Sequence, residues 1–320
     1  MNAPARPEAA SRSSLNRSAA FASISVALLL IVLKGWAAWT TGSTAMLGSL
    51  ADTALDLAAS IATLIGVWIA AQPADDNHRF GHGKAEAVAA MFQVVLISIS
   101  ALAIAARAVE RLIVGGEVAS PEAGIGVSIV AIIATVALLA WQRYVIARTQ
   151  SVAIETDHAH YKSDLLLNLS VIAALAIDSF AGVTGADALF GLAIAIWLGL
   201  AGWRASGRAL EQLMDQEWPE EKRQRFLLAL AEHPELRGVH DLRTRTSGER
   251  DFVQFHVWME PTLSLREAHR IMDEVEARLE RDFPDVDILI HPDPEGLIDE
   301  TGAAAQDELA NLQIEEEKAR

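Results

Sequence analysis

The sequence predicts an α-helical polytopic membrane protein, with six transmembrane helices followed by a C-terminal cytoplasmic α+β domain. Three observations carry that prediction. Apolar runs of about 20 residues, long enough to cross a hydrocarbon core as a helix, recur through the first 210 residues. Lys and Arg gather in alternate connections between those runs. Charge is also unevenly placed: the 320 residues carry 42 acids and 26 bases, net −16. Residues 1–210 hold 14 acids and 13 bases, net −1, whereas residues 211–320 hold 28 and 13, net −15. A chain that is 52% hydrophobic, with mean hydropathy +0.25, is too apolar for an ordinary acidic soluble protein. One nearly neutral apolar part joined to one acidic soluble part resolves the conflict. The charge has the wrong sign for phosphate and no basic stripe appears, which excludes a nucleic-acid partner. With no cysteine, disulfides, thiolate metal sites and cysteine nucleophiles are excluded, so a transition metal must be held by His, Asp and Glu.

The runs are 19–40, 45–71, 86–113, 123–146, 160–181 and 187–207. Turn signals separate them: Thr41-Gly42-Ser43, Gln72-Pro73, Gly115-Gly116 with Pro121, and Gly182 to Gly185. The first run follows a polar leader and precedes five more spans, so it reads as an uncleaved helix rather than a signal peptide. Bases cluster in the leader (Arg6, Arg12, Arg17), between runs two and three (Arg79, Lys84), between four and five (Arg143, Arg148) and after six (Arg204, Arg208). The opposite connections hold almost none, Arg111 being the nearest. The positive-inside rule therefore predicts both termini in the cytoplasm of a multi-pass plasma (inner) membrane protein. The predicted organisation is a tail over 1–17, the transmembrane domain over 18–210, a cytoplasmic metal-binding domain over 211–295, and an acidic tail over 296–320 that reads as disordered or loosely helical.

Of the acids in the apolar half, Asp52, Asp56 and Asp164 read as the ones deep in apolar runs. Asp52 and Asp56, four apart in SLADTALDLAAS, share a helix face about 6 Å apart along the axis. His160 and Asp164 repeat the spacing in HAHYKSDLLLN. Two carboxylates on one buried face repel each other and are costly in lipid; a dication between them removes both problems. Three carboxylates and one imidazole suit zinc or a similar ion. The alternative is that these four pair with Lys34 or cap helix ends. In the second-to-third connection, QPADDNHRFGHGKAE, Asp75, His78 and His82 form a D-x2-H-x3-H ligand set; the alternative is a polar loop with a capping Asp and glycine turns.

Beyond Trp218 the pattern changes. A short helix (Pro219 to Glu232) precedes two alternating runs, HDLRTRTSG and DFVQFHVWME, which read as strands. An amphipathic helix follows from Leu265 to Arg281, with Leu265, Ala268, Ile271, Met272, Val275 and Leu279 on one face. A last strand, DVDILIHPDP, closes a unit of roughly 80 residues, small enough to need help from dimerisation or metal. His240, His256, His269, His291 and Asp293 lie at the edges of different elements and could converge on one or two metal ions. Scattered surface or core histidines are the alternative, as read for His158 and His233.

These stretches taken together identify a resemblance. SLADTALD, QPADDNHRFGHGKAEA, HYKSDLLLN, HDLRTRTSG and the closing IHPDP resemble the cation diffusion facilitator family, most closely its bacterial ferrous-iron/zinc efflux branch, over residues 15 to 295. The resemblance implies a homodimeric six-helix transporter that exports divalent metal in exchange for protons, and a metallochaperone-like fold for the cytoplasmic domain. It implies a transport site at Asp52, Asp56, His160 and Asp164, and a loop site at Asp75, His78 and His82. It further implies a binuclear site at His240, His256, His269, His291 and Asp293. Lys84 and Asp215 match positions where the family links its two parts by a salt bridge. Pro292, where relatives carry a polar side chain, is a departure that removes any side-chain ligand there. Two Asp with a His–Asp pair resembles the iron/zinc branch, making zinc the first expected cargo, with cadmium and ferrous iron as further candidates and protons as counter-ion. The domain is expected to sense metal as a dimer.

Rival classes fit less well. An intramembrane metal hydrolase would need a spare general base, and no H-E-x-x-H occurs. A membrane-anchored metal sensor or storage protein would not need carboxylates inside six spans. A carrier of an organic cation would need a larger, aromatic-lined pocket. The expected class is a transporter and not an enzyme.

Overall fold

The computed structural model describes residues 7–41, 44–114, 125–181, 186–248, 250–284, 286–296 and 307–310. The turns expected at Gly42-Ser43, at 115–121 and at 182–185 lie outside these residues, as does most of the acidic tail. Six long helices come first: α1 (Pro7–Thr41), α2 (Thr44–Ala70), α3 (Ala85–Val114), α4 (Ile125–Thr149), α5 (Val152–Ala181) and α6 (Ala186–Leu213). Residues 7–17, read from the sequence as part of a tail, are the first turns of α1, where Leu15 packs with Ala19, Ala20, Val67, Val145, Ala153 and Ile154.

Over the residues whose side chains are described, five of these helices are long and apolar enough to cross a membrane. α5 has the length, about 45 Å over 30 residues, and its charges (Glu155, Asp157, Lys162 and Asp164) gather in its first half, ahead of the mostly apolar stretch 165–177. α3 packs on α6, α1 on α2 and α4, and α5 on α4, α6 and α3. Small residues let the backbones approach closely. Ala27, Ala87, Ala90 and Ala209 are fully buried, and a Cβ on Gly66 would lie 2.4 Å from that of Ala89 on the neighbouring helix. Large apolar side chains such as Trp39, Leu102, Ile113 and Trp203 point outward, as a helix solvated by lipid requires.

The chain divides into two compact units, Met1–Leu213 and Met214–Arg320. In the second unit, α7 (Glu220–Ala231), β1 (Gly238–Ser247), β2 (Arg250–Met259), α8 (Leu265–Asp282) and β3 (Val286–Pro294) form the α+β order that the sequence predicts. The sheet order is β1-β2-β3; β1 and β2 are an antiparallel hairpin, and β3 returns parallel to β2 after α8. Its core comprises Phe226, Leu230, Val253, Phe255, Val257 and, from α8, Ile271, Val275 and Leu279. Ser264 caps α8 in a reciprocal capping box with Glu267. Leu265, expected on the buried stripe, is 82% exposed because it is the first helical residue, and Leu263, ahead of the cap, packs against the core instead.

Part of the acidic tail is docked. Asp307 accepts hydrogen bonds from the Val239 and Leu309 N–H groups at 3.2 and 3.0 Å. Glu308 pairs with Arg223 at 2.8 Å, and Leu309 packs on the core. Apolar burial plus an ion pair is what separates this short segment from a solvated acidic tail.

Candidate functional site

Among the described residues, three groups of ligand-type side chains have donor atoms within 4.8 Å of one another: Asp56, His160 and Asp164; Asp75, His78 and His82; and His240, His256 and Asp293.

The first lies inside the helical unit. Packing of α2 against α5 brings Asp56 to His160, and helical spacing brings Asp164 to the same ring. His160 Nε2 is 2.8 Å from Asp56 Oδ1 and 3.8 Å from Asp164 Oδ2, and the imidazole is almost fully enclosed. Its other nitrogen, Nδ1, is buried without a hydrogen-bond partner. Asp52, one turn before Asp56, stands outside this group: it is mostly exposed and lies 4.0 Å from Arg107 of α3. Lys34 neither reaches the cluster by hydrogen bond nor snorkels freely; its Nζ donates to Thr53 Oγ1 at 2.7 Å and to the Ser49 carbonyl at 3.5 Å.

The second group is an Asx-type turn between α2 and α3. Asp75 Oδ1 accepts from the backbone N–H of Asn77 and His78 at 2.9 and 2.7 Å and lies 3.1 Å from His78 Nδ1. His82 Nε2 approaches Asp75 Oδ2 at 3.4 Å. The His78 N–H, donating to the carboxylate, holds the Asp75 carboxyl below its ordinary value. Gly81, at φ +80°, supplies the left-handed residue that brings the chain back.

The third is a row across the sheet. Register pairs His240 with His256 and His256 with His291, so three imidazoles stand side by side on one face. Asp293, two residues past His291, rises on the same face. Its Oδ2 is 2.8 Å from His256 Nδ1 and 3.2 Å from His240 Nε2, and its Oδ1 is 3.2 Å from His291 Nε2. A β-bulge after His240, with Asp241 at φ +49°, turns the Asp241 carboxylate to within 3.8 Å of His256. Pro292 sits on the edge strand β3, where a missing N–H is tolerated. His269 on α8 is exposed and its near neighbour is Asp273, 3.7 Å away, so it does not join the row.

Lys84 Nζ donates to the Leu213 carbonyl at 3.0 Å, and Asp215, at φ +57°, lies 3.4 Å from Arg245 Nη1.

Two buried carboxylates escape the sequence reading. Asp157 is 0% exposed and Glu86 4%, both more enclosed than the three acids read as deep. Asp157, one turn before His160 on α5, accepts from Ser23 Oγ of α1 at 2.6 Å, Gln142 Nε2 of α4 at 2.8 Å and Gln93 Nε2 of α3 at 3.2 Å. Tyr161 beside it bonds the Ser23 carbonyl at 3.2 Å and Ser60 of α2 at 3.0 Å. Glu86 accepts from Ser151 at 2.6 Å and Asn16 at 3.2 Å. The available signal was Asp157 at i−3 from His160, with a lone glutamine in each of two apolar runs.

Residues 20–214 match the family model described as the cation efflux transmembrane domain, and residues 218–295 the model of the cation efflux protein cytoplasmic domain. The chain is 42% identical over 284 residues to the cation-efflux pump FieF of Escherichia coli O127:H6, covering 89% of this chain and 94% of that protein. The FieF of Escherichia fergusonii matches to the same extent. Among solved structures, CzrB in its zinc form is 38% identical and covers 26% of this chain and 97% of that one, with a TM-score of 0.25.

Proposed function

Because the chain belongs to the cation efflux family, a family of transporters and not of enzymes, we propose that it exports a divalent metal ion in exchange for protons. Zinc is the first cargo, with cadmium and ferrous iron as further ones. The observation that carries this reading is His160 Nε2 between the carboxylates of Asp56 and Asp164 on two packed helices. One imidazole with carboxylates favours a borderline ion over the hard ions that prefer all-oxygen shells. Asp52, one helical turn away on α2, completes the site when its carboxylate swings to the ion.

The same geometry supports the exchange. At 2.8 Å the His160–Asp56 contact is a hydrogen bond, which needs a proton on Nε2 or on the facing carboxyl. A metal ion bound by both atoms takes the place of that proton, so proton and metal exclude each other there. Metal loading from one side releases the proton, and reprotonation on the other side expels the metal. Rocking of the bundle about the site gives alternating access.

The remaining roles follow. Asp75, His78 and His82 form a loop site that collects the ion near the mouth between α2 and α3. His240, His256, His291 and Asp293, with His269 where the chain dimerises, form the cytoplasmic site, whose occupancy tightens a homodimer and biases the cycle. Alternate-loop bases support an inner-membrane protein with both termini cytoplasmic.

Zinc-driven proton movement in proteoliposomes tests the reading. Wild type shows it under an imposed pH gradient, and Asp56→Ala and His160→Ala abolish it. Intact flux in either variant removes the site assignment; zinc binding without flux favours a membrane-anchored sensor.

A further inference from the structure

We propose that Arg107 is a tethered counter-cation of the transport site, pairing with Asp52 in the metal-free state and competing with the metal ion for that carboxylate. The inference rests on the reading of Asp52 as a transport ligand. Its own basis is the juxtaposition of Arg107 Nη1 and Asp52 Oδ2 at 4.0 Å, a long ion pair between α3 and α2 whose side chains are 71% and 61% exposed on the outer face of the bundle. Arg107 lies within the apolar span 85–113, and a guanidinium inside a membrane helix marks function with its partner named. Topology does not explain it. α2 and α3 run antiparallel, so Arg107 near the end of α3 is level with the start of α2, the end that the positive-inside rule strips of bases.

The pair also accounts for where Asp52 sits. Asp56 and Asp164 face His160, whereas Asp52, four residues from Asp56 on the same helix, is drawn to Arg107. A guanidinium stays charged at any pH the protein meets, so this competitor is always present and does not act by titration. A metal ion must displace Arg107 to gain Asp52 as a ligand, and Arg107 retakes Asp52 as the ion leaves. The device lowers apparent affinity and hastens release, and it belongs to the cargo's exit if the start of α2 faces outward. A pair formed nine-tenths of the time would lower apparent affinity about tenfold.

Initial rates of zinc transport by the full-length protein in proteoliposomes test this. Arg107→Gln should lower KM about tenfold and lower kcat with it, since release slows. Arg107→Leu, which suits an apolar helix better, should act in the same direction, and Arg107→Lys should keep KM within about twofold of wild type. Zinc titration of the solubilised protein then isolates the partner through the component of the isotherm that His160→Ala removes. In an Asp52→Asn background that component should respond to Arg107→Gln by less than about twofold. An unchanged or raised KM in both the Gln and Leu variants overturns the proposal, as does an undiminished affinity shift in the Asp52→Asn background. If Asp52→Asn alone leaves transport and binding intact, the placement of Asp52 in the site fails first. If wild type carries no zinc, the transport reading itself fails, and this proposal with it.

Discussion

Replacing Asp157 tests what holds the transport helix in place. Its carboxylate takes three hydrogen bonds, from Ser23, Gln142 and Gln93, which sit on α1, α4 and α3. Asp157→Ala removes the acceptor and leaves three donors buried. Hydrogen bonds between membrane helices are worth about 0.6 to 1.7 kcal/mol each, so the loss comes to about 2–5 kcal/mol. At 2–4 °C per kcal/mol for a unit of this size, melting in detergent should fall by roughly 4–20 °C. Asp157→Asn should cost far less. Its oxygen can replace Oδ2 and keep Ser23 and Gln142, while its amide faces Gln93. Rotating the Gln93 amide by half a turn then offers its Oε1, which is buried without a partner, as the acceptor. That rotation gives up the contact of Gln93 Nε2 with Thr63, a net loss of about one bond, roughly 1 kcal/mol. Thermal melts of the purified variants decide the matter. Equal shifts for Ala and Asn, or no shift for Ala, would refute the argument that donor satisfaction around this carboxylate ties the helices together.

Other predictions follow from particular contacts. Gly66→Ala should force α2 away from Ala89 and cost about 1–3 kcal/mol, while Gly199→Ala, with open space around it inside α6, should leave the melt unlowered or raise stability by up to about 1 kcal/mol of helix preference. Leu279→Ala, in the core under α8, should cost about 2–5 kcal/mol, read as earlier loss of protection from proteolysis in residues 214–296 of the full-length protein. In metal-free protein the Asp75 turn should persist on acidification below the ordinary aspartate value of 3.8, because a depressed carboxyl stabilises above that value and gives up its contribution only as pH falls through its own lower one. Carbon-13 chemical shifts of the Asp75 carboxyl check this; a midpoint at or above 3.8 would remove the turn's claim on the charge. Asp75→Asn should keep the turn but lose its pH dependence.

The parts of this fold that depend on pattern alone are readable from the chain. Six apolar runs and the helix–strand–strand–helix–strand order need only local periodicity, and the i,i+4 pairs in α2 and α5 need only helical spacing. Convergence needs more. The imidazole row of His240, His256 and His291 depends on strand register, and His269 stays off the row within one chain because α8 turns Ile271, Val275 and Leu279 inward. Asp157 and Glu86 are not legible in the sequence because each has neutral partners distant along the chain, and nothing near Asp157 announces Ser23, Gln93 or Gln142. Pairing of Arg107 with Asp52 likewise depends on how two helices align. Docking of Asp307 and Leu309 is hidden by composition, since scattered apolar residues among acids carry little signal until a core receives one of them.

The polarity of α5 has a consequence for how the protein is made. Its first half carries Glu155, Asp157, His160, Lys162 and Asp164, and polar groups there are satisfied by Ser23, Asp56, Ser60, Gln93 and Gln142, on α1, α2, α3 and α4. All four of those helices leave the ribosome before it. The fifth helix therefore enters a membrane in which its partners already stand, and its insertion is an act of assembly as much as of partitioning. Order of synthesis is thereby written into the bundle. Expressed without the first four, α5 should insert less completely than it does behind them; with them present, even on a separate chain, it should find its place.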